Sequence, residues 1–161
     1  MYRKHDNSIV DGIELDVFVY SKDSFFERKT WEDFRQLYDG KVVLDTDNIS
    51  EDIISAVRSY IDGRPTKTIE ENKTNVEWCE KMLLRTQRND TEGYFRWHWL
   101  LTDSLEIYYD ITGQVYFGPR KGIKKMEAED KVGYNLYEKA LRTMDKENLS
   151  QWVQYLKEQL K

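Results

Sequence analysis

The chain is poor in the residues that build disulfides and zinc sites. It has one cysteine, Cys79, and two histidines, His5 and His98. A single cysteine excludes an internal disulfide and a cysteine-rich zinc site, and it fits a reducing compartment. Cys79 falls inside a helical pattern and is expected to be a core thiol. Two histidines so far apart do not make a zinc cluster. His98, between Trp97 and Trp99, is expected to be a structural side chain with a hydrogen-bond partner. No apolar run is long enough to cross a bilayer, and residues 1–6 lack the apolar stretch of a signal peptide. Together these absences predict a soluble, cytoplasmic protein without a membrane partner. The sequence also contains no Gly-x-Ser-x-Gly elbow, no P-loop and no dinucleotide fingerprint, which disfavours the common hydrolase and nucleotide-binding scaffolds. Repeats and low-complexity segments are absent too.

What is present is ample material for a core. The 161 residues suffice for one sizeable core or two small lobes, and 14% of them are aromatic, including 5 Trp and 11 Tyr. The net charge of -5 with 34% charged residues argues against nucleic acid as a principal partner.

The pattern along the chain predicts an α+β protein, mainly α. A small N-terminal sheet over residues 1–63 is expected to pack on a helical bundle over residues 64–161, with the boundary in Asp62-Gly-Arg-Pro-Thr66. Residues 11–20, Asp-Gly-Ile-Glu-Leu-Asp-Val-Phe-Val-Tyr, read as a strand. Alternation places Ile13, Leu15, Val17 and Val19 on the core face, and Glu14, Asp16 and Phe18 on the other. A short helix capped by Thr30 follows, then a second strand at 41–45 (Lys-Val-Val-Leu-Asp). A helix from about Ile49 to Tyr60 opens with the capping box Asn48-Ile-Ser-Glu51. Beyond the boundary, Thr68-Ile-Glu-Glu71 opens a helix to about Arg88, with Ile69, Val76, Cys79, Leu83 and Thr86 along one side. The central helix, from Thr91 to about Asp110, carries Tyr94, Phe95, Trp97, Trp99, Tyr108 and Tyr109 and is expected to be buried on more than one side. After a Gly/Pro loop come a short helix through about Met126, one from about Asp130 to Met144, and one from Glu147 to Lys161 capped by Asp145. The last has Leu149, Trp152, Val153, Leu156 and Leu160 as its core stripe.

Two features suggest chemistry. Side chains two apart on a strand lie roughly 7 Å apart, so Glu14 and Asp16 repel unless a cation joins them. Mg²⁺, a hard cation that prefers oxygen ligands, is the natural candidate, while an edge strand with a solvated polar face accounts for the same pattern. Lys22 and the run Arg120, Lys121, Lys124 and Lys125 are candidate phosphate contacts, with Arg96 beside them. A solvated helix face is the other reading of that run.

In order, Gly12-Ile-Glu-Leu-Asp-Val-Phe-Val19 and Tyr94-Phe-Arg-Trp-His-Trp-Leu-Leu-Thr-Asp103 continuing to Val115-Tyr-Phe-Gly-Pro-Arg-Lys121 resemble parts of DNA-polymerase-β-type nucleotidyltransferases, in the aminoglycoside-nucleotidyltransferase branch. The resemblance implies that Asp16 is the third active-site carboxylate, acting as base or metal ligand with Glu14 beside it. It further implies transfer of a nucleoside monophosphate from an Mg²⁺-bound nucleotide triphosphate to a hydroxyl acceptor. The family's Gly-Ser and Asp-x-Asp motifs lie upstream of that carboxylate, and neither occurs in the 15 residues before Asp16. The chain is therefore expected to be an incomplete catalyst by itself. Three accounts remain open: a degenerate binding protein, a start upstream, or one half of a split enzyme. The alternative function is a non-catalytic interaction module that pairs its open strand edge with another chain or a second copy. A helical domain with a small-molecule pocket lined by Tyr94, Trp97 and Tyr116 is a third reading.

Overall fold

The computed structural model describes residues 3–27 and 30–160. Its architecture is α+β and mainly α, and the chain divides into two compact units, Met1–Arg64 (unit 1) and Pro65–Lys161 (unit 2).

Unit 1 opens with a ribbon. Strands β2 (Ile9–Val10) and β3 (Ile13–Glu14) form a tight antiparallel hairpin, with Val10 opposite Ile13. Strands β1 (Arg3–Asp6) and β4 (Val17–Tyr20) pair further out, from Arg3 opposite Tyr20 to Asp6 opposite Val17. Between the two ladders the Leu15 N–H donates to the Ser8 carbonyl at 2.9 Å. The reversal falls on Asp11 (φ 51°) and Gly12 (φ 79°), the left-handed pair that a two-residue hairpin turn matched to strand twist requires. One strand over 11–20 is therefore the wrong reading: the chain turns back at Asp11-Gly12 and leaves the ladder at Leu15-Asp16.

That break also reverses the expected faces. Val17 and Val19 are exposed, whereas Phe18 and Tyr20 are half-buried. Aromatic packing selects this face: the Tyr20 ring lies 5.1 Å from Phe34, and Phe25 lies 4.7 Å from Phe34. A one-residue change of register moves every side chain of a strand to its other face, and the larger aromatic area wins the interior.

Helix α1 (Asp23–Phe26) and a 3-10 helix (Glu32–Leu37) follow, with the Glu32 N–H donating to the Thr30 hydroxyl at 3.2 Å. Helix α2 (Ser50–Asp62) packs on the 3-10 helix and buries Ile54, Val57 and Ile61 at helical spacing. Residues 41–45 form no strand. Val43 is 97% exposed and Leu44 82%, because the segment meets no ladder partner among the described residues of unit 1 and its last residue is drawn into a cap. Asp45 accepts from the N–H groups of Asp47, Ile49 and Ser50, the last at 2.8 Å. The expected capping box at Asn48 is thereby displaced: Asn48 sits at φ 54° and the α2 amides turn to Asp45 instead.

Among the described residues, unit 2 is a bundle of five helices: α3 (Ile69–Thr86), α4 (Thr91–Ile111), α5 (Pro119–Glu129), α6 (Lys131–Thr143) and α7 (Lys146–Glu158). Short polar caps set most of the boundaries. Thr68 and Glu71 form the reciprocal capping box read from the sequence. Asp90, Asp130 and Asp145 each accept from the N–H three residues on, at 2.8, 2.9 and 3.0 Å. The last helix ends at Glu158, short of its expected end at Lys161, which lies outside the described residues. Its core stripe is as read, with Leu149, Trp152, Val153 and Leu156 buried and Leu160 packed against them.

The core of unit 2 centres on α4 and α7. Trp152 is fully buried, with its ring 5.0 Å from Tyr137 and its indole N–H donating to the buried Ser104 hydroxyl at 2.9 Å. Helix α5 approaches α4 closely at Gly122, whose carbonyl accepts from Tyr109 at 2.7 Å. A Cβ at Gly122 would come within 2.9 Å of the Tyr116 ring. Cys79 is a buried thiol, as expected, and burial pushes it up to about 12. Two expectations for the surface of unit 2 are corrected. His98 is exposed rather than a buried structural histidine, and Tyr94 and Phe95 face solvent although Trp97, Tyr108 and Tyr109 are buried. Towards its C-terminal end α4 is buried on more than one side, as expected, with Leu105, Ile107, Tyr108 and Tyr109 all inside, while Tyr94 and Phe95 near its start fall outside that arc.

Candidate functional site

The sequence-predicted residues fall in both units. In unit 1, Asp16 occupies the break between β3 and β4, and its carboxylate accepts from His5 Nε2 at 2.7 Å. His5 stacks flat on Phe18, with ring centroids 4.4 Å apart and planes 2° apart. Asp16 is thus engaged across the ribbon by a histidine whose orientation an aromatic ring fixes. Glu14 lies on β3 opposite Ile9 and is exposed, so the pair does not share one uninterrupted strand face. Lys22, just past β4, pairs with Asp47 at 2.7 Å. Among the described residues, no group of three or more His, Cys, Asp or Glu side chains is placed to hold a metal ion.

The other predicted cations belong to unit 2. Arg96 donates to Glu92 at 3.2 Å and lies 5.1 Å over the Trp99 ring. Lys121 sits 5.5 Å over Phe117, and Lys124 is exposed on α5. The first turn of α5 begins at Gly118 (φ 87°), with Pro119 as its first residue, a combination that starts a helix abruptly. The three aromatics of the expected pocket differ in setting. Tyr94 is exposed, Trp97 is in the core, and Tyr116 packs 5.6 Å from Tyr109.

The arrangement that stands out physically is the surface of unit 1. Ile9, Val10, Ile13, Val17 and Val19 are all exposed on the ribbon, and Val43 and Leu44 project from the 41–45 segment. Scattered apolar residues on a surface are ordinary, but so many exposed on a unit that buries few suits a contact face. An open concavity borders it, lined by Phe18, Val19, Tyr20, Phe25, Gln36 and Leu37. Both edges of the ribbon lack a ladder partner among the described residues. Within the ribbon, Asp6 is held below the usual carboxylate range by the Ser8 N–H and hydroxyl.

Sequence reasoning missed the His5–Asp16 clasp and the display of 41–45. The Asp-Gly pair between apolar residues was a usable signal, because it marks a hairpin and so brings residues 3–6 beside 17–20. Nothing in the local pattern of 41–45 distinguishes a paired strand from an unpaired one. No family model matches the chain, and neither a curated protein nor a solved structure is significantly similar to it.

Proposed function

We propose that the chain is a non-catalytic interaction module, with unit 1 as its contact surface and unit 2 as a well-packed helical body. The observation that carries this reading is the exposure of Ile9, Val10, Ile13, Val17, Val19, Val43 and Leu44 on a unit that buries few apolar residues. A two-stranded ribbon is marginal in water and gains most by acquiring another strand or cover. Nucleotide transfer finds less support: Asp16 is engaged by His5, Lys22 by Asp47, and no acidic cluster is assembled among the described residues. The acidic balance keeps nucleic acid an unfavoured partner. A lone, buried and unreactive thiol fits the cytoplasm.

Titration calorimetry with ATP, GTP, CTP and UTP, each with and without Mg²⁺, tests the reading. We expect no magnesium-dependent heat with any of them. Magnesium-dependent binding that vanishes in Asp16→Asn would overturn the module reading and restore Asp16 as a metal ligand of a nucleotidyltransferase.

A further inference from the structure

The 41–45 segment is held at both ends and loose in the middle. On its N-terminal side Arg58 Nε donates to the Tyr38 carbonyl at 2.9 Å, and the Tyr38 hydroxyl donates to Asp62 at 2.7 Å. At its C-terminal end Asp45 caps α2, and Asp47 pairs with Lys22 next to the end of β4. Between these anchors, no hydrogen bond among the described residues engages Lys41, Val42, Val43 or Leu44. The result is an apolar stretch, bent at Val43, presented from a fixed base, and pairing would straighten it. Fixing the base lowers the ordering cost of pairing.

The same unit offers what such a stretch pairs with. β1 has β4 on one side and no ladder partner on the other among the described residues. We propose that two copies of the chain associate through unit 1, residues 41–45 of each copy adding as a third strand along the open edge of β1 of the other, antiparallel to it. This rests on the module reading and names its partner.

Charge favours two of the four possible arrangements, and ladder geometry chooses between them. Antiparallel addition along β1 brings Lys41 to the Asp6 end and the negative Asp45 to the Lys4 end. Parallel addition there sets like charges together. Antiparallel addition along β4 would bring Asp45 to the Asp16 end instead, and parallel addition there sets Lys41 by Asp16 and Asp45 by Lys22 but gives up the more stable antiparallel ladder. Unlike charges across neighbouring strands stabilise a pairing and like charges oppose it. Added beside β1 with Lys41 facing Asp6, the segment places Val43 on the exposed face of Val17 and Val19 and puts Val42 and Leu44 on the opposite face. Exchange in both directions gives an isologous, closed dimer, whose edges do not propagate into a fibre.

The test is sedimentation equilibrium of the full chain over a range of concentrations, with Val43→Pro, Lys41→Glu, Asp6→Lys and the Lys41→Glu/Asp6→Lys double variant. The expected result is a dimer of the 19.4 kDa chain. Dissociation should rise at least tenfold in Val43→Pro and in each single charge reversal, and recover in the double variant. That recovery separates a docking contact from simple damage to the fold. A monomer at every concentration overturns the proposal, as does a dimer indifferent to Val43→Pro and to both reversals. So does amide protection of 41–45 in a monomer, which would mean closure onto its own ribbon. The module reading itself is judged by the nucleotide titration, so the two failures are distinguishable.

Discussion

Trp152 and Val43 mark the extremes of this molecule: one has no solvent-exposed surface and the other is 97% exposed. Each is typical of its unit. In unit 2 the buried apolar residues form one cluster, from Val76 on α3 to Leu156 on α7, stitched by buried polar pairs. In unit 1 the interior rests on Phe34, Ile54, Val57 and Ile61, while the β-branched ribbon residues stay outside. Helices stacked on one another each gain a neighbour for their apolar stripe, whereas a lone two-stranded ribbon has two faces and two edges to satisfy. Typical stabilities of about 0.05–0.15 kcal/mol per residue imply about 3–10 kcal/mol for unit 1 and about 5–15 kcal/mol for unit 2. A unit near the low end depends most on what it binds.

The strongest test of the contrast is Trp152→Ala. Removing it takes away the ring that packs on Tyr108 and Tyr137 and leaves Ser104 without its indole donor. The expected cost is about 3–5 kcal/mol, at the upper end because a buried hydroxyl loses a partner. Urea unfolding followed by near-ultraviolet circular dichroism reads it. A loss under 1 kcal/mol would mean that unit 2 is far more plastic than its packing implies.

Phe34→Ala makes the corresponding cut in unit 1. Its ring lies between Tyr20, Phe25 and Trp31, and these half-buried neighbours can close in, so a loss of about 3 kcal/mol is expected. That equals the low end of the stability of unit 1. Hydrogen exchange should show the amides of α2 losing protection, and unchanged protection at Ile54, Val57 and Ile61 would refute the contrast.

The difference between the units also decides what was legible in the sequence. Helix positions in unit 2 follow from caps that act within four residues, such as Thr68 with Glu71 and Asp145 with Asn148, so local reading suffices. The ribbon depends on pairing between residues 3–6 and 17–20, which alternation cannot specify, and the faces came out reversed. Asp45 caps α2 from two to five residues upstream, a contact nearly as local as those caps, which the nearer Asn48-x-x-Glu51 motif conceals. Of the candidate site, positions were readable and partners were not. His5 meets Asp16, and Lys22 meets Asp47, only after the chain has turned.

A smaller effect concerns Asp130, which joins three elements of unit 2. Its carboxylate accepts from the Tyr108 and Tyr155 hydroxyls at 2.9 and 2.7 Å and from the Gly133 N–H. Burial pushes its pKa up, but the Tyr155, Gly133 and Tyr108 donors outweigh burial and hold it below the usual value. A depressed folded value means that the stabilisation is fully present above about pH 4 and fades as the pH falls through the lower folded value. Asp130→Asn should cost about 1–3 kcal/mol at neutral pH and flatten the loss of stability below pH 4. Some slope will remain from Asp90 and Glu71, whose carboxyls backbone N–H groups also hold low. An unchanged acid limb in the variant would remove Asp130 from this role.

The smallest expected effect tests whether local caps or the surrounding bundle set the start of α3. Thr68→Ala removes the hydroxyl that accepts from the Glu71 N–H at 3.2 Å, and leaves Glu71 able to accept from the Thr68 backbone N–H at 2.8 Å. Losing one half of the box should cost about 1 kcal/mol, with fraying confined to the first turn, where Ile69 is exposed and adds no anchoring. From Asn72 onward the helix is held by burial and by the Asn72 side chain donating to the Asp110 carbonyl at 3.3 Å. Exchange protection should therefore drop at Glu71 and Asn72 and persist at Val76 and Cys79. Loss that spreads to Val76 would show that the cap, rather than the bundle, holds α3 in place, and that unit 2 was readable because its helices depend on local signals, unlike the ribbon of unit 1.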